Sequence, residues 1–382
     1  MLIKLHRLSV WKGELRSEIM NERMDLYTDY LHTTFGKATA TGLSDLLNGA
    51  LSHDQITRML ADGLKGSKDL WLEVKPLVRK YENDEACLIF DDTLIEKEYT
   101  DENELICSHW NHAKGEYIRG INLLTAFYHS EGVKSGEPLR VPIAYECITK
   151  PVLYTELATK KVKRKSTVSK NELMRMMIEH SINQRLKFKY VLSDTWFASV
   201  ENIELIHKSN KFFIFDIRQN RLSVFNYSDK RKGNWKKISD LDIPEQTPVK
   251  VFLKGCDIEM LLIKQVFTNK DGSTGTRYLI SNDLKLTKDD FETIYKKRWS
   301  VEEYHKSLKQ NNAAGKSPTR TVVTQSNHIF ASLLSYIKME SYKLVFKINH
   351  FALKGKIYAE ALKAAFEEIR KLKKQMTELG SA

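Results

Sequence analysis

The sequence predicts a mixed α/β core flanked on both sides by helical regions, and three features carry that expectation. First, the apolar runs ACLIF (86–90) and FKYVLS (188–193) each lead directly into aspartate, the pattern of buried strands that deliver a carboxylate at their C-terminal ends. Second, the runs 121–128 and 140–148 follow the first one closely, with a turn-like segment at 131–138 between them, which makes an antiparallel meander. Third, residues 1–80 and 325–382 carry helical apolar periodicity without strand-like alternation.

Composition narrows the class. A chain of 382 residues with 42% hydrophobic content can build a sizeable core, which excludes a disordered protein. The net charge of +12 is the electrostatic footprint of a nucleic-acid binder. Cys87, Cys107, Cys147 and Cys256 lie far apart with no CxxC pair, as expected of reduced thiols in a cytosolic protein. No apolar run approaches membrane-spanning length, and the N-terminus has no signal-peptide pattern. The expectation is a cytoplasmic protein without a membrane partner.

In chain order, residues 1–80 read as a helical DNA-binding region. Within it, LSDLLNGALSHDQITRMLADG forms two short helices joined at Ser52–His53, with Ser52 or Asp54 capping the second, the size of a helix-turn-helix unit. The catalytic core is expected over 81–324. His109, Trp110, Asn111 and His112 beside Cys107 read as a polar loop and not a zinc site, since no second ligand pair lies nearby. The basic stretch 159–170, with Lys163, Arg164 and Lys165, reads as a loop contacting the DNA backbone. Ser169 and Glu172 form an S-x-x-E start for a helix running to about 185. A helix near 200–208 and a strand at 212–217 follow, and then short strands separated by basic loops over 218–284, a β-rich insertion containing Trp235. Residues 325–382 complete the chain as a helical C-terminal region.

The stretch 291–311, FETIYKKRWSVEEYHKSLKQN, contains neither Gly nor Pro and reads as one helix. At about 100° per residue, Tyr295, Arg298, Glu302 and Lys309 fall within roughly 60° of one another with Lys306 close by. Ile294, Val301, Tyr304 and Leu308 fall on the opposite, packing side. By itself this is a solvated face with an i,i+4 ion pair worth about 0.2–0.5 kcal/mol. Combined with Asp91 and Asp194 it gains a chemical meaning. A meander followed by a helix and a further strand is the start of an RNase H-like sheet, in which the first and fourth strands lie side by side. Three carboxylates converging from distant segments suit Mg²⁺, and two such ions can promote an in-line phosphoryl displacement.

Tyr295, Arg298, Glu302 and Lys309 spell Y-x2-R-x3-E-x6-K. This resembles the signature of the insertion-sequence DDE transposases of the YREK group, the family named after insertion sequence number four. LIFDDTLIEK (88–97) and YVLSDTWF (190–197) are similar to that family's first and second Asp motifs, in the same order. The resemblance covers most of 86–312 and implies an RNase H-like core with a β-rich insertion between the second Asp and the Glu. It implies Asp91, Asp194 and Glu302 as the catalytic, metal-binding triad, with Asp92 the alternative to Asp91, and two Mg²⁺ ions for which Mn²⁺ can substitute. Tyr295, Arg298 and Lys309 would contact phosphates, joined by Trp299 and Lys306 from the same stretch. The partners implied are double-stranded DNA, as element ends and as target, and a second copy of the chain assembled on those ends. Some family members cut through a DNA hairpin, and the sequence leaves that step open here. The competing readings are an RNase H-like nuclease without strand transfer and a transposase-derived binding protein that no longer cuts.

Overall fold

The computed structural model describes residues 22–111, 114–131, 136–269 and 271–380. The chain divides into two compact units, one built from Met1–Lys65 together with Lys306–Ala382 and the other from Gly66–His305. His112, part of the expected turn at 131–138 and the first 21 residues of the N-terminal region lie outside the described residues.

The first unit is helical. It contains α1 (22–33), α2 (Ala40–Leu46) and α3 (His53–Ala61). Ser52 caps α3 in a reciprocal box, accepting from the Gln55 backbone N–H while the Gln55 side chain accepts from the backbone of Ser52. Tyr27, Leu31, Leu43, Ile56 and Leu60 form the apolar core of this unit with Ala331.

The second unit begins with α4 (Ser67–Tyr81), followed by β1 (Cys87–Glu96), β2 (Cys107–Asn111), β3 (Glu116–Ser130) and β4 (Leu139–Cys147). An exposed ribbon of β5 (Val152–Thr155) and β6 (Val162–Lys165) precedes α5 (Lys170–Asn183), β7 (Tyr190–Ser193), α6 (Val200–Lys208) and β8 (Phe212–Asp216). Next come β9 (Leu222–Val224), α7 (Tyr227–Lys232), β10 (Lys236–Lys237), β11 (Val249–Leu253), β12 (Met260–Thr268) and β13 (Thr274–Ser281). The unit closes with α8 (Lys288–Lys296) and the start of α9 (Trp299–Gln310). The chain then returns to the first unit as α10 (Val322–Phe346) and α11 (His350–Gly380).

One large mixed sheet organises the second unit, in the order β10-β9-β11-β12-β13-β8-β7-β1-β3-β2, with β4 also on β3. β1 runs antiparallel to β3 and parallel to β7, β7 runs parallel to β8, and β13 pairs antiparallel with β8. The strands expected within 218–284 are present, but β13 joins β8 directly, so they extend the main sheet and do not form a separate one.

Four further local expectations change. The first apolar strand does not stop at Phe90: β3 supplies a continuous ladder to Glu96, which places Asp91 and Asp92 inside β1. β7 pairs with β1 only as far as Ser193 opposite Phe90, so beyond that point one flank of β1 is open. The stretch with Cys107 and His109 is β2 and not a loop, paired along β3. The basic segment with Lys163, Arg164 and Lys165 is β6, likewise not a loop, because β5 supplies its ladder.

The fourth concerns 291–311, which is two helices and not one. Backbone N–H groups of Lys297, Arg298, Ser300 and Val301 bond to carbonyls three residues back. That tightens the chain into 3₁₀-like turns and breaks the 100° phase. Tyr295 consequently faces inward at 4% exposure, while Val301, Tyr304 and Leu308 are buried as expected.

Candidate active site

Asp91 and Asp194 are the next residues along neighbouring parallel strands, one step beyond the Phe90–Ser193 pair. Glu302 comes to them from the first turn of α9. Among the described residues, ligand atoms of Asp91, Glu302 and His305 lie within 4.8 Å of one another. Two of the three expected carboxylates therefore meet directly, and a histidine joins them. Asp194 is not part of that cluster, although its charge acts on Asp91.

His305 is the residue that sequence reasoning missed. Its signal was present: Glu302 and His305 form Glu-x-x-His, and three residues along a helix bring two side chains to one face. Helical carboxylate metal proteins use the same spacing. Tyr304 anchors this helix beneath the site, its ring stacked on Phe127 at 4.7 Å and its hydroxyl 3.3 Å from Thr125 Oγ1. Thr125 is the residue opposite Asp91 on β3.

The electrostatics are unbalanced. Burial first, and then the charges of Glu302 and Asp194, push the Asp91 carboxyl up to about 8, with Arg298 pulling the other way. Burial also raises Asp194, against the backbone N–H of Trp196, which donates to Oδ1 at 3.0 Å. Asp216, at the end of β8, is pushed up to about 6 by burial, with Arg277 opposing and Asp194 adding. Arg298 is the cation within the cluster, but it sits loosely, with Nη1 3.3 Å from Glu302 Oε1 and 3.8 Å from Asp91 Oδ2. Asp92 behaves differently. Lys170 Nζ lies 2.7 Å from its Oδ2 and the Asn122 side-chain amide donates to the same oxygen at 2.6 Å, which neutralises it.

The remaining expected contacts are spread out. The Tyr295 hydroxyl donates to the Ser193 carbonyl at 3.2 Å, tying α8 to the strand end that presents Asp194. Arg277 and Arg298 lie over its ring, 5.0 and 5.7 Å from the centroid. Trp299 is 63% exposed and borders an open cleft with Arg277 and Arg298. Lys163 and Arg164 pair with Glu156 and Glu102 at 2.6 and 3.0 Å, and Lys165 lies over the ring of Tyr154. Lys306 and Lys309 are exposed on the part of α9 that belongs to the first unit. Beside Asp194 a larger groove is lined by Lys170, Trp196, Arg218 and Arg221. Lys170 and Arg218 each sit 5.7 Å from the centroid of the half-exposed Trp196 ring.

Residues 82–338 match the family model described as the transposase DDE domain. The chain belongs to the transposase DDE-domain family. No curated protein matches it. Enzymes of this family generally use a divalent metal, and the residues of this DDE domain fit one. Two carboxylates offer the oxygen ligands that Mg²⁺ and Mn²⁺ prefer, and the crowded negative charge that raises Asp91 is what a cation would relieve. His305 adds a nitrogen donor, which suits Mn²⁺ better than Mg²⁺. Among the described residues of the transposase, no helix is long and apolar enough to cross a membrane.

Proposed function

We propose that the protein is an insertion-sequence transposase of the YREK group, with an RNase H-like core, that cuts the ends of its element and joins them to target DNA. One observation carries this reading: Asp91 and Glu302, more than 200 residues apart in sequence, converge with Arg298 on ligand geometry inside a transposase DDE domain. Asp91, Asp194 and Glu302 are the proposed triad, and His305 is a candidate fourth ligand. Asp91 is favoured over Asp92 because Lys170 and Asn122 already compensate Asp92. Two bound Mg²⁺ or Mn²⁺ ions would polarise the reacting phosphate and help ionise the attacking hydroxyl.

The chain's own residues supply the rest. Arg298, held loosely between two carboxylates, can turn its fork toward a phosphate beside the cut. Lys309 and Lys306 would extend that contact along the DNA backbone, as would Trp299 beside Arg298. Tyr295 acts through position, since its hydroxyl is engaged with the backbone before Asp194. The groove of Lys170, Arg218 and Arg221 around Trp196 and the ribbon cations Lys163, Arg164 and Lys165 add sequence-independent attraction. In this reading the N-terminal helices bind the element ends, residues 81–324 do the chemistry, and the enzyme works in the cytosol where the chromosome lies.

The test is cleavage and strand transfer on end-containing DNA with Mg²⁺ or Mn²⁺. Asp91→Ala, Asp194→Ala and Glu302→Ala should each reduce both steps at least about 10³-fold, equivalent to roughly 4 kcal/mol of barrier, and leave DNA binding largely intact. Cleavage without joining would point to a nuclease. Substantial cleavage by Asp194→Ala or Glu302→Ala would sink the assignment.

A further inference from the structure

The contacts that α11 makes with its own unit fade at Tyr358, whose ring meets Phe35 edge-on at 4.5 Å. From Tyr358 to Leu379 every residue is exposed, yet the stretch is not polar all round. Leu362, Ala365, Ile369, Leu372, Met376 and Leu379 recur at alternating spacings of three and four, the a and d positions of three heptads. Ile369 and Leu372 are each 52% exposed, and Met376 and Leu379 are 73% and 79% exposed. The opposite face is charged and pairs within the helix, through Lys363–Glu360, Arg370–Glu367 and Lys374–Glu378. A continuous apolar stripe left in water marks an interaction surface, and a period of 3.5 fits a left-handed coil with another helix.

We propose that this stripe is a homodimer seam, in which α11 of a second copy packs parallel and in register as a two-stranded coiled coil. The charges choose that occupant. Glu368 falls at a g position and Lys373 at the next e position, the two sites that face each other across a parallel, in-register pair. One copy therefore carries both halves of the complementary contact. At the centre of the seam Ile369 occupies a and Leu372 occupies d, the combination that favours two parallel strands. The preceding g and e positions are Ala361 and Phe366, which meet as an apolar pair in the same register. The seam does not depend on the transposition reading: a chain that dimerises this way and cuts no DNA would keep it.

The experiment is sedimentation equilibrium of the full chain without DNA across the micromolar range, with thermal melts alongside. Wild type should show a reversible monomer–dimer equilibrium, and the double variant Ile369→Asp/Leu372→Asp should be monomeric with an unchanged melt of the remainder. Glu368→Lys should weaken association at least about tenfold by placing like charges opposite each other, and adding Lys373→Glu should restore it. Leu372→Cys should form an intermolecular disulfide on oxidation that wild type does not. A monomeric wild type would overturn the proposal, as would a dimer indifferent to the aspartates, a double charge swap no better than the single one, or a dimeric Leu372→Cys that fails to cross-link.

Discussion

Two buried carboxylates, one in each unit, show what separates structural charge from charge awaiting a ligand. Glu340 on α10 is 2% exposed in its side chain, with Lys343 Nζ 2.7 Å from one oxygen and His350 Nε2 3.0 Å from the other. His350 is held in turn by Ser307, whose Oγ lies 3.0 Å from Nδ1. Burial alone would raise Glu340, but the His350 hydrogen bond and the Lys343 charge reverse the direction and lower it. Asp91 is comparably enclosed at 13% side-chain exposure, yet its nearest cation is 3.8 Å away and its other close neighbours include Glu302. Its carboxyl is pushed up to about 8, by burial first. The same chemical group is satisfied in one place and left with excess negative charge in the other, and such imbalance in a cleft is the physical mark of a working site.

The comparison breaks first at Glu340. Glu340→Gln removes the charge that compensates Lys343, so it should cost about 3–5 kcal/mol of stability, as breaking a buried ion pair does. Urea unfolding measures this, and a loss below about 1 kcal/mol would mean that the cluster is not the tight pair described. A second difference lies in sign. Glu340 has a lowered folded pKa, so its contribution is present above the ordinary carboxylate value and is lost as pH falls through the folded one. Asp91 has a raised folded pKa, so its contribution is complete below the ordinary value and is lost as pH rises toward about 8. The metal-free stability advantage of Asp91→Asn over wild type should therefore widen between about pH 4 and pH 8, by up to about 1.4 kcal/mol per pH unit. A gap that stays flat over that range counts against the crowded-carboxylate picture. The smallest expected effect is at Arg298, whose long contacts at 3.3 and 3.8 Å imply little structural role. Arg298→Gln should slow single-turnover cleavage about tenfold, close to 1.4 kcal/mol of barrier, and barely move the melting temperature. A variant that melts early but cuts normally would reverse that assignment.

Much of this was legible in the chain. Strand-end aspartates after ACLIF and FKYVLS are local signals, because a buried strand must be apolar and the first polar residue marks where the pairing environment changes. The Y-x2-R-x3-E-x6-K spacing is equally local. What escaped depends on partners distant in sequence. β1 runs on through Asp91 because β3 pairs with it to Glu96, which no periodicity in 86–96 reveals. β6 is a strand because β5 pairs with it, and with both largely exposed no apolar alternation marks either. The 3₁₀-like turn at 297–301 moved Tyr295 off the face predicted for a continuous helix. His305 could have been found, since its spacing from Glu302 needs only the helix that was already expected.

The most direct test of the central claim, that Asp91 and Glu302 form a divalent-cation site, is a thermal melt of wild type, Asp91→Asn and Asp92→Asn with and without Mn²⁺ or Mg²⁺. Metal-free Asp91→Asn should melt at or above wild type, because it removes a buried like charge. The divalent ion should raise the melting temperature of wild type and Asp92→Asn by binding the folded state, and leave Asp91→Asn unmoved. No shift in wild type, or an equal shift in Asp91→Asn, would contradict the site.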